Sequence, residues 1–390
     1  MTPAARVQTA IEILDTILAA ARDNGPAADA VIAQAFRDRR YAGSKDKKAI
    51  REMIYRAIRS YGAPPSSGRA ALLGLREDDL QAQFGSGGYG PAAILADEPC
   101  ATPSVIAPWM AEALLPFIDA DEQAALLARA PLDVRANRLK TSRDDLMAEL
   151  GGEPIAGLPD GLRLAEGADL LTSAAYLQGR VEVQDAGSQM ISLICGAQPG
   201  MTVVDLCAGA GGKTLALASD MAGAGRLIAC DTDRARLSRL PGRAERAGAR
   251  VDIRLLNPQR EAEALADLDG QADLVLVDAP CSGSGTWRRN PELRWRLTPA
   301  RLGRVCGLQA HVLDVAAPLV RPGGVLVYAV CSLFSQEGEA QIAAFLGRHS
   351  GWEVDLPDLG LGRRTASGYA FTPFHDGTDG FFVARLRRSC

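Results

Sequence analysis

Apolar positions recur with two different periods along this chain, and the change of period divides it. Near the start Val7, Ile11, Leu14 and Leu18 fall at i, i+4, i+7 and i+11, the spacing of one helix face. Met53, Ile54, Ala57 and Ile58 predict a second helical face. Gly/Pro/Ser-rich runs at 62–68 and 84–91 read as turns, and a further helical unit is predicted over about 102–122. PLDVRANRLKTSRDDLMAEL, residues 131–150, reads as a strand, a Ser/Asp cap and a helix.

After Gln184 short apolar runs alternate with helical stretches. Strands are predicted at 202–206, 226–230, 251–256, 274–277, 325–330 and 381–386. Alternating strands and helices imply an α/β fold, a doubly wound parallel sheet covered by helices on both faces. Ligands of such sheets sit outside the carboxyl ends of the strands. The expected organisation is a helical domain over 1–125, a small α/β subdomain over 126–180 and a Rossmann-like domain over 181–390.

Composition narrows the class. The chain has 390 residues, 47% hydrophobic and 23% charged, ordinary values for a globular protein. No apolar run is long enough to span a bilayer, and the start lacks a secretory pattern, so a cytoplasmic location and no membrane partner are expected. Eight cysteines with no CxxC pair, and only three histidines, point to neither a disulfide framework nor a metal site. Little chain follows the last predicted strand, so no further C-terminal RNA-binding domain is expected.

VVDLCAGAGGKT, residues 203–214, is a strand leading into a Gly-rich turn and a helix. A dinucleotide fingerprint GxGxxG fails because position 214 is Thr. A phosphate-binding GxxxxGK[ST] loop fits at Gly212-Lys213-Thr214, but its first glycine is Cys207, which leaves an NTPase as a remote alternative. A third reading is an S-adenosylmethionine site. The glycines let the backbone approach a ligand closely, and Asp231, ending the next strand, can accept both ribose hydroxyls of an adenosine.

Two cysteines end predicted strands. Cys281 stands in DAPCSGSGTWRRNPE after Asp278, and Cys331 stands in YAVCSLFSQEGEAQIAAFL. Carbon 5 of cytosine or uracil is a poor nucleophile until a thiolate adds at carbon 6, because the enamine so formed pushes electrons onto carbon 5. The target base must be flipped out or unpaired. Trp287, Arg288, Arg289, Arg294, Trp295 and Arg296 follow Cys281 and could stack bases and hold phosphates. Between Arg37 and Arg59 nine basic residues, Lys45, Lys47 and Lys48 among them, face three acids; this is an RNA-contacting patch or a solvated helix face.

These motifs resemble the Sun/nucleolar-protein family of RNA 5-methylcytosine methyltransferases. The likeness runs from about Pro131 to Leu386 and includes VQDAGSQM (183–190) and DGTDGFFVARL (376–386). The helical start resembles the NusB-like RNA-binding domain of bacterial members that act on small-subunit ribosomal RNA. The resemblance implies an S-adenosylmethionine-dependent RNA cytosine-5 methyltransferase with Cys331 as nucleophile, Cys281 serving release and Asp278 orienting the cytosine. It implies a cofactor site made by Cys207, Ala208, Gly209, Ala210, Gly211, Gly212, Lys213, Asp231, Asn257 and Asp278. The expected partner is RNA, ribosomal first and tRNA second, with no metal, and the protein is expected to act as a monomer. This sequence departs from the family pattern at Val330 for Thr, Gly338 for Asn, Ala210 for Pro, and Asn257 for an acid after the third strand. A catalytically idle RNA-binding or ribosome-assembly factor is the alternative from another class.

Overall fold

The computed structural model describes residues 1–390 except Asn24 and Leu359. It divides into two units. One comprises Met1–Ala128 and Thr286–Pro299, the other Arg129–Gly285 and Ala300–Cys390.

The first unit is built on α1 (Pro3–Arg22), α2 (Ala28–Asp38), α3 (Ser44–Ser60) and α4 (Gly68–Gly74). The Thr2 hydroxyl accepts from the Ala5 N–H and Pro3 opens the first turn, which sets the start of α1. Val7, Ile11, Leu14 and Leu18 are buried in one core with Ile50, Ile54 and Ile58 of α3. Each such side chain contributes about 1.5–3 kcal/mol by leaving water. The helical unit expected at 102–122 consists of two short helices, Pro108–Ala113 and Ala120–Ala125.

The segment 286–299 belongs to this unit because it closes the ends of its helices. Arg294, 1% exposed, donates from Nη2 to the Ile58 carbonyl at 2.6 Å and from Nη1 to the Val105 carbonyl. Trp295 Nε1 donates to the Tyr61 carbonyl at 2.8 Å, and its ring lies in the core. Arg296 donates to the carbonyls of Gly25 and Pro26 at 2.8 and 2.6 Å, beyond the end of α1. The Glu292 carboxylate accepts from the Ala28 N–H at 3.2 Å, where α2 has no cap from its own N-cap residue. Cations at carboxyl ends and an anion at an amino end satisfy orphan backbone groups and complement the helix dipoles.

The second unit holds two sheets. The smaller joins β1 (Leu132–Ala136), β2 (Glu153–Pro154), β3 (Gly161–Leu164) and β4 (Val181–Val183) in the order β2-β3-β1-β4, antiparallel throughout. The larger contains β5 (Thr202–Asp205), β6 (Arg226–Asp231), β7 (Asp252–Leu255), β8 (Ala272–Asp278), β9 (Val320–Val330), β10 (Trp352–Val354), β11 (Arg363–Arg364), β12 (Tyr369–Phe371) and β13 (Phe381–Arg388). Its order is β11-β12-β13-β9-β8-β5-β6-β7, with β10 beside β13. β5 to β9 pair in parallel, and β13 returns antiparallel to β9.

The apolar runs in β8 and β9 are continuous because both sheet faces are covered. Leu274, Leu276, Val325, Val327 and Ala329 pack into one core, while Val275, Val277, Leu326, Tyr328 and Val330 pack into the other. Strand order reverses between β5 and β8. That reversal opens a crevice beyond their carboxyl ends, the usual ligand position in such sheets.

Candidate active site

Residues that end or follow β5, β6, β8 and β9 line a cavity of about 460 Å³, within the range of small-molecule sites. Cys207, Asp231, Asp278, Cys281 and Cys331 are in its wall. The loop after β5 turns sharply into the helix Gly212–Asp220 through Gly209 and Gly211, at φ +54° and +88°. A side chain at Gly211 would meet Leu240 at 2.2 Å, so the turn needs glycine there. At Gly212 a Cβ would meet no protein atom within 4 Å, which leaves open space at the mouth of this helix.

Asp231 is held from both sides. Its Oδ2 accepts from the Gly209 N–H and its Oδ1 from the Asp233 N–H, each at 2.7 Å. Each carboxylate oxygen retains capacity for a further donor such as a ribose hydroxyl. This fixed carboxylate, the open space at Gly212 and the apolar wall of Leu256, Val312 and Val315 fit an adenosine-bearing cofactor. Ala208, Gly209, Ala210, Gly211, Gly212 and Lys213 form the loop and first turn beside it. Asn257 is exposed and lies outside the cavity wall. The buried carboxylate in that part of the wall is Glu261, 3.3 Å from His311 Nε2.

Lys213 Nζ donates to Asp278 Oδ2 at 2.7 Å. Burial pulls the ammonium down, but Asp278 outweighs it and holds Lys213 above its ordinary value. Register pairs Asp278 of β8 with Ala329 of β9, which brings the two following loops side by side. Cys281 Sγ and Cys331 Sγ are 3.2 Å apart. The hydrogen bond to Cys331 and burial push the Cys281 thiol well above its ordinary range. Burial and the carboxylates of Asp231 and Asp205 push the Cys207 thiol up as well, which removes it as a nucleophile.

Residues 193–387 match the family described as 16S rRNA methyltransferase RsmB/F. The chain belongs to that family. Its cofactor is S-adenosylmethionine. Among curated relatives it is 35% identical over 263 residues to the ribosomal RNA small subunit methyltransferase B of Enterobacter sp. (strain 638), 66% of this chain and 60% of that one. The match thus spans about 60% of the length of such relatives. The crystal structure of the protein PH0851 superposes with a TM-score of 0.78 at 25% identity over 100% of this chain and 99% of the other. NSun6 from Pyrococcus horikoshii, solved with SFG, shares the fold, with a TM-score of 0.62 at 21% identity over 69% of this chain and 94% of the other.

The RNA contacts expected from the two basic clusters fare unevenly. Lys45 and Lys48 are exposed and Lys47 half-buried over the Phe36 ring; none of the three side chains makes a hydrogen bond or ion pair among the described residues. Arg288 and Arg294 are buried, at 5% and 1% exposure, and Arg289 is half-buried. The expectation that Arg288 and Arg294 meet RNA is corrected: both are withdrawn from solvent, and Arg294 is committed to backbone carbonyls. Sequence reasoning missed Glu261 and the wall residues Leu308, Val312 and Val315. Their i, i+4, i+7 spacing on the helix Pro299–Ala316 was the available signal. Among the described residues no cluster of three metal-ligating side chains occurs, and no helix is long and apolar enough to cross a membrane.

Proposed function

We propose that this chain methylates carbon 5 of a cytosine in small-subunit ribosomal RNA through a covalent cysteine–cytosine intermediate. The observation that carries this reading is the pair of sulfurs 3.2 Å apart at the tips of adjacent parallel strands, in one cavity with Asp278 and Asp231. The names of the relatives support ribosomal RNA as substrate.

Cys331 attacks carbon 6 of the base as a thiolate, and the electron pair moves to carbon 5. S-adenosylmethionine supplies the methyl group to that carbon. Asp278, held by Lys213, accepts from the cytosine amine and fixes the ring over the sulfur. Cys281 serves release: its thiol proton passes to the departing Cys331 sulfur 3.2 Å away, and the thiolate so formed takes the proton from carbon 5, whose C–H pair re-forms the ring double bond as the C6–S pair returns to Cys331.

Bisulfite sequencing of total RNA from a strain lacking the gene tests the reading. One cytosine of 16S ribosomal RNA should lose its methyl group and regain it with the wild-type gene, but not with Cys331→Ala. A methyl group lost from tRNA instead would keep the chemistry and change the substrate. No cytosine affected would overturn the proposal.

A further inference from the structure

Behind the two cysteines lies a carboxylate that the reaction does not touch. Glu337 is fully buried. Its Oε1 accepts from the Ser282 N–H at 2.7 Å and from Gln309 Nε2 at 2.9 Å. Its Oε2 accepts from the hydroxyls of both Ser282 and Ser332. Ser282 directly follows Cys281, and Ser332 directly follows Cys331. Gln309 also donates to the Pro280 carbonyl at 2.9 Å, so the brace reaches both neighbours of Cys281. The Tyr328 hydroxyl donates to the Glu337 carbonyl at 2.7 Å and ties the brace to β9.

The surrounding hydroxyls are satisfied too. Ser284 Oγ accepts from the Leu333 N–H and lies 2.9 Å from Ser332 Oγ. The carboxylate and the three serine hydroxyls of this buried network all have partners, which fixes their geometry, while Gln309 Oε1 has none among the described residues. All four groups facing the carboxylate are donors, and a carboxylate accepts only. An amide in its place would turn an NH2 toward at least one of them.

We infer that Glu337 is the positioning residue that fixes the distance between the two sulfurs, by clamping the residue after each cysteine to one carboxylate. The inference rests on the reading of Cys331 and Cys281 given above. Attack and release by two side chains need both sulfurs aimed at one base, and a displacement of about 1 Å can cost ~10²-fold in rate. The loops have an independent tie, since the Gly285 N–H donates to the Cys331 carbonyl at 3.0 Å. Loss of the brace therefore loosens the sulfurs without separating the strands.

The test uses the purified full chain and a readout that needs no RNA. Diamide oxidises two neighbouring thiols to a disulfide; the two thiol hydrogens pass to its azo nitrogens. Peptide mapping after a time course gives the rate of the Cys281–Cys331 bond. Wild type should form it readily, and Glu337→Gln should form it at least ~10-fold more slowly. The double variant Ser282→Ala/Ser332→Ala keeps the carboxylate, and should show the same slowing if Glu337→Gln fails to fold. The thermal shift given by S-adenosylhomocysteine should be retained in both, with the loss of methyl transfer falling on kcat rather than KM. A wild type that forms no such bond, or foldable variants that form it at the wild-type rate, would overturn the inference. Neither result bears on whether the chain methylates cytosine, because the disulfide rate involves no RNA and no methyl donor.

Discussion

Two stretches of this chain look alike as text. Residues 37–59 carry nine cations with Tyr41 and Tyr55 among them, and residues 287–304 carry six arginines with two tryptophans. In the first, the side chains of Lys45, Lys47 and Lys48 have no ionic or hydrogen-bonded partner among the described residues, and Tyr41 is 72% exposed. In the second, Trp287, Arg288, Arg294 and Trp295 are buried. Arg294 is pulled down to about 9 by burial and by Arg59, against the attraction of Glu292, yet this leaves it charged at neutral pH. It can be buried because backbone carbonyls of Ile58 and Val105 receive its protons. The lesson is that a basic, aromatic segment reads as a nucleic-acid surface only where its cations lack partners of their own.

The largest expected effect separates the two by stability. Trp295→Ala should destabilise the first unit by about 3–5 kcal/mol. Arg294→Ala should cost about 3 kcal/mol, because buried carbonyls lose their donor. Faster amide exchange in α1 and α3 would show this. Protection unchanged from wild type would place the segment among surface loops.

The next test asks whether partners decide the fate of a buried charge in general. Asp205, at the end of β5, accepts from the Thr214 hydroxyl at 2.6 Å through Oδ2, while its buried Oδ1 has no hydrogen-bond partner among the described residues. Burial pushes its carboxyl up to about 7. Its unfolded value is about 3.9. Between these values the native state keeps a proton that the unfolded chain has released, so stability falls as pH rises from about 4 to about 7. The Asp205 contribution should be up to about 4 kcal/mol across that window, and Asp205→Asn should remove that slope from urea unfolding curves. Parallel slopes in the two proteins would show that Asp205 is ionised throughout.

The smallest effect concerns the free lysines. Replacing Lys45, Lys47 and Lys48 together with Ala should leave stability within about 0.5 kcal/mol. RNA affinity should fall about 10-fold at moderate salt, and the salt dependence should flatten by up to about 3 counterion units. An unchanged salt slope would return this patch to an ordinary solvated helix face.

Much of the catalytic unit was legible. Continuous apolar runs ending in Asp231, Asp278 and Cys331 announce strands of a covered sheet, and the Gly-rich turn after β5 has a local sterical cause at Gly211. Helix starts were legible for the same reason: Ser142 caps the helix Arg143–Leu150 through contacts three residues away. What escaped depends on partners distant in the chain. Arg294 meets Ile58 across 236 positions and Ser282 meets Glu337 across 55, and no periodicity encodes either. The short strands β10, β11 and β12 were also unread, since two or three residues carry no pattern. The family resemblance implied Asn257 as a cofactor residue; it is exposed, and Leu256, Pro258 and Glu261 form that part of the wall.

The central claim is that Cys331 attacks and Cys281 releases. Incubation of each cysteine variant with unmodified small-subunit RNA and labelled methyl donor, followed by denaturing electrophoresis, tests it directly. Cys281→Ala should accumulate a ribonuclease-sensitive protein band shifted by RNA and carrying label, because the adduct forms, accepts methyl and cannot be expelled. Cys331→Ala should give neither adduct nor methylated product, since carbon 5 is never activated. A stable adduct in Cys331→Ala with none in Cys281→Ala would contradict the account and exchange the two roles.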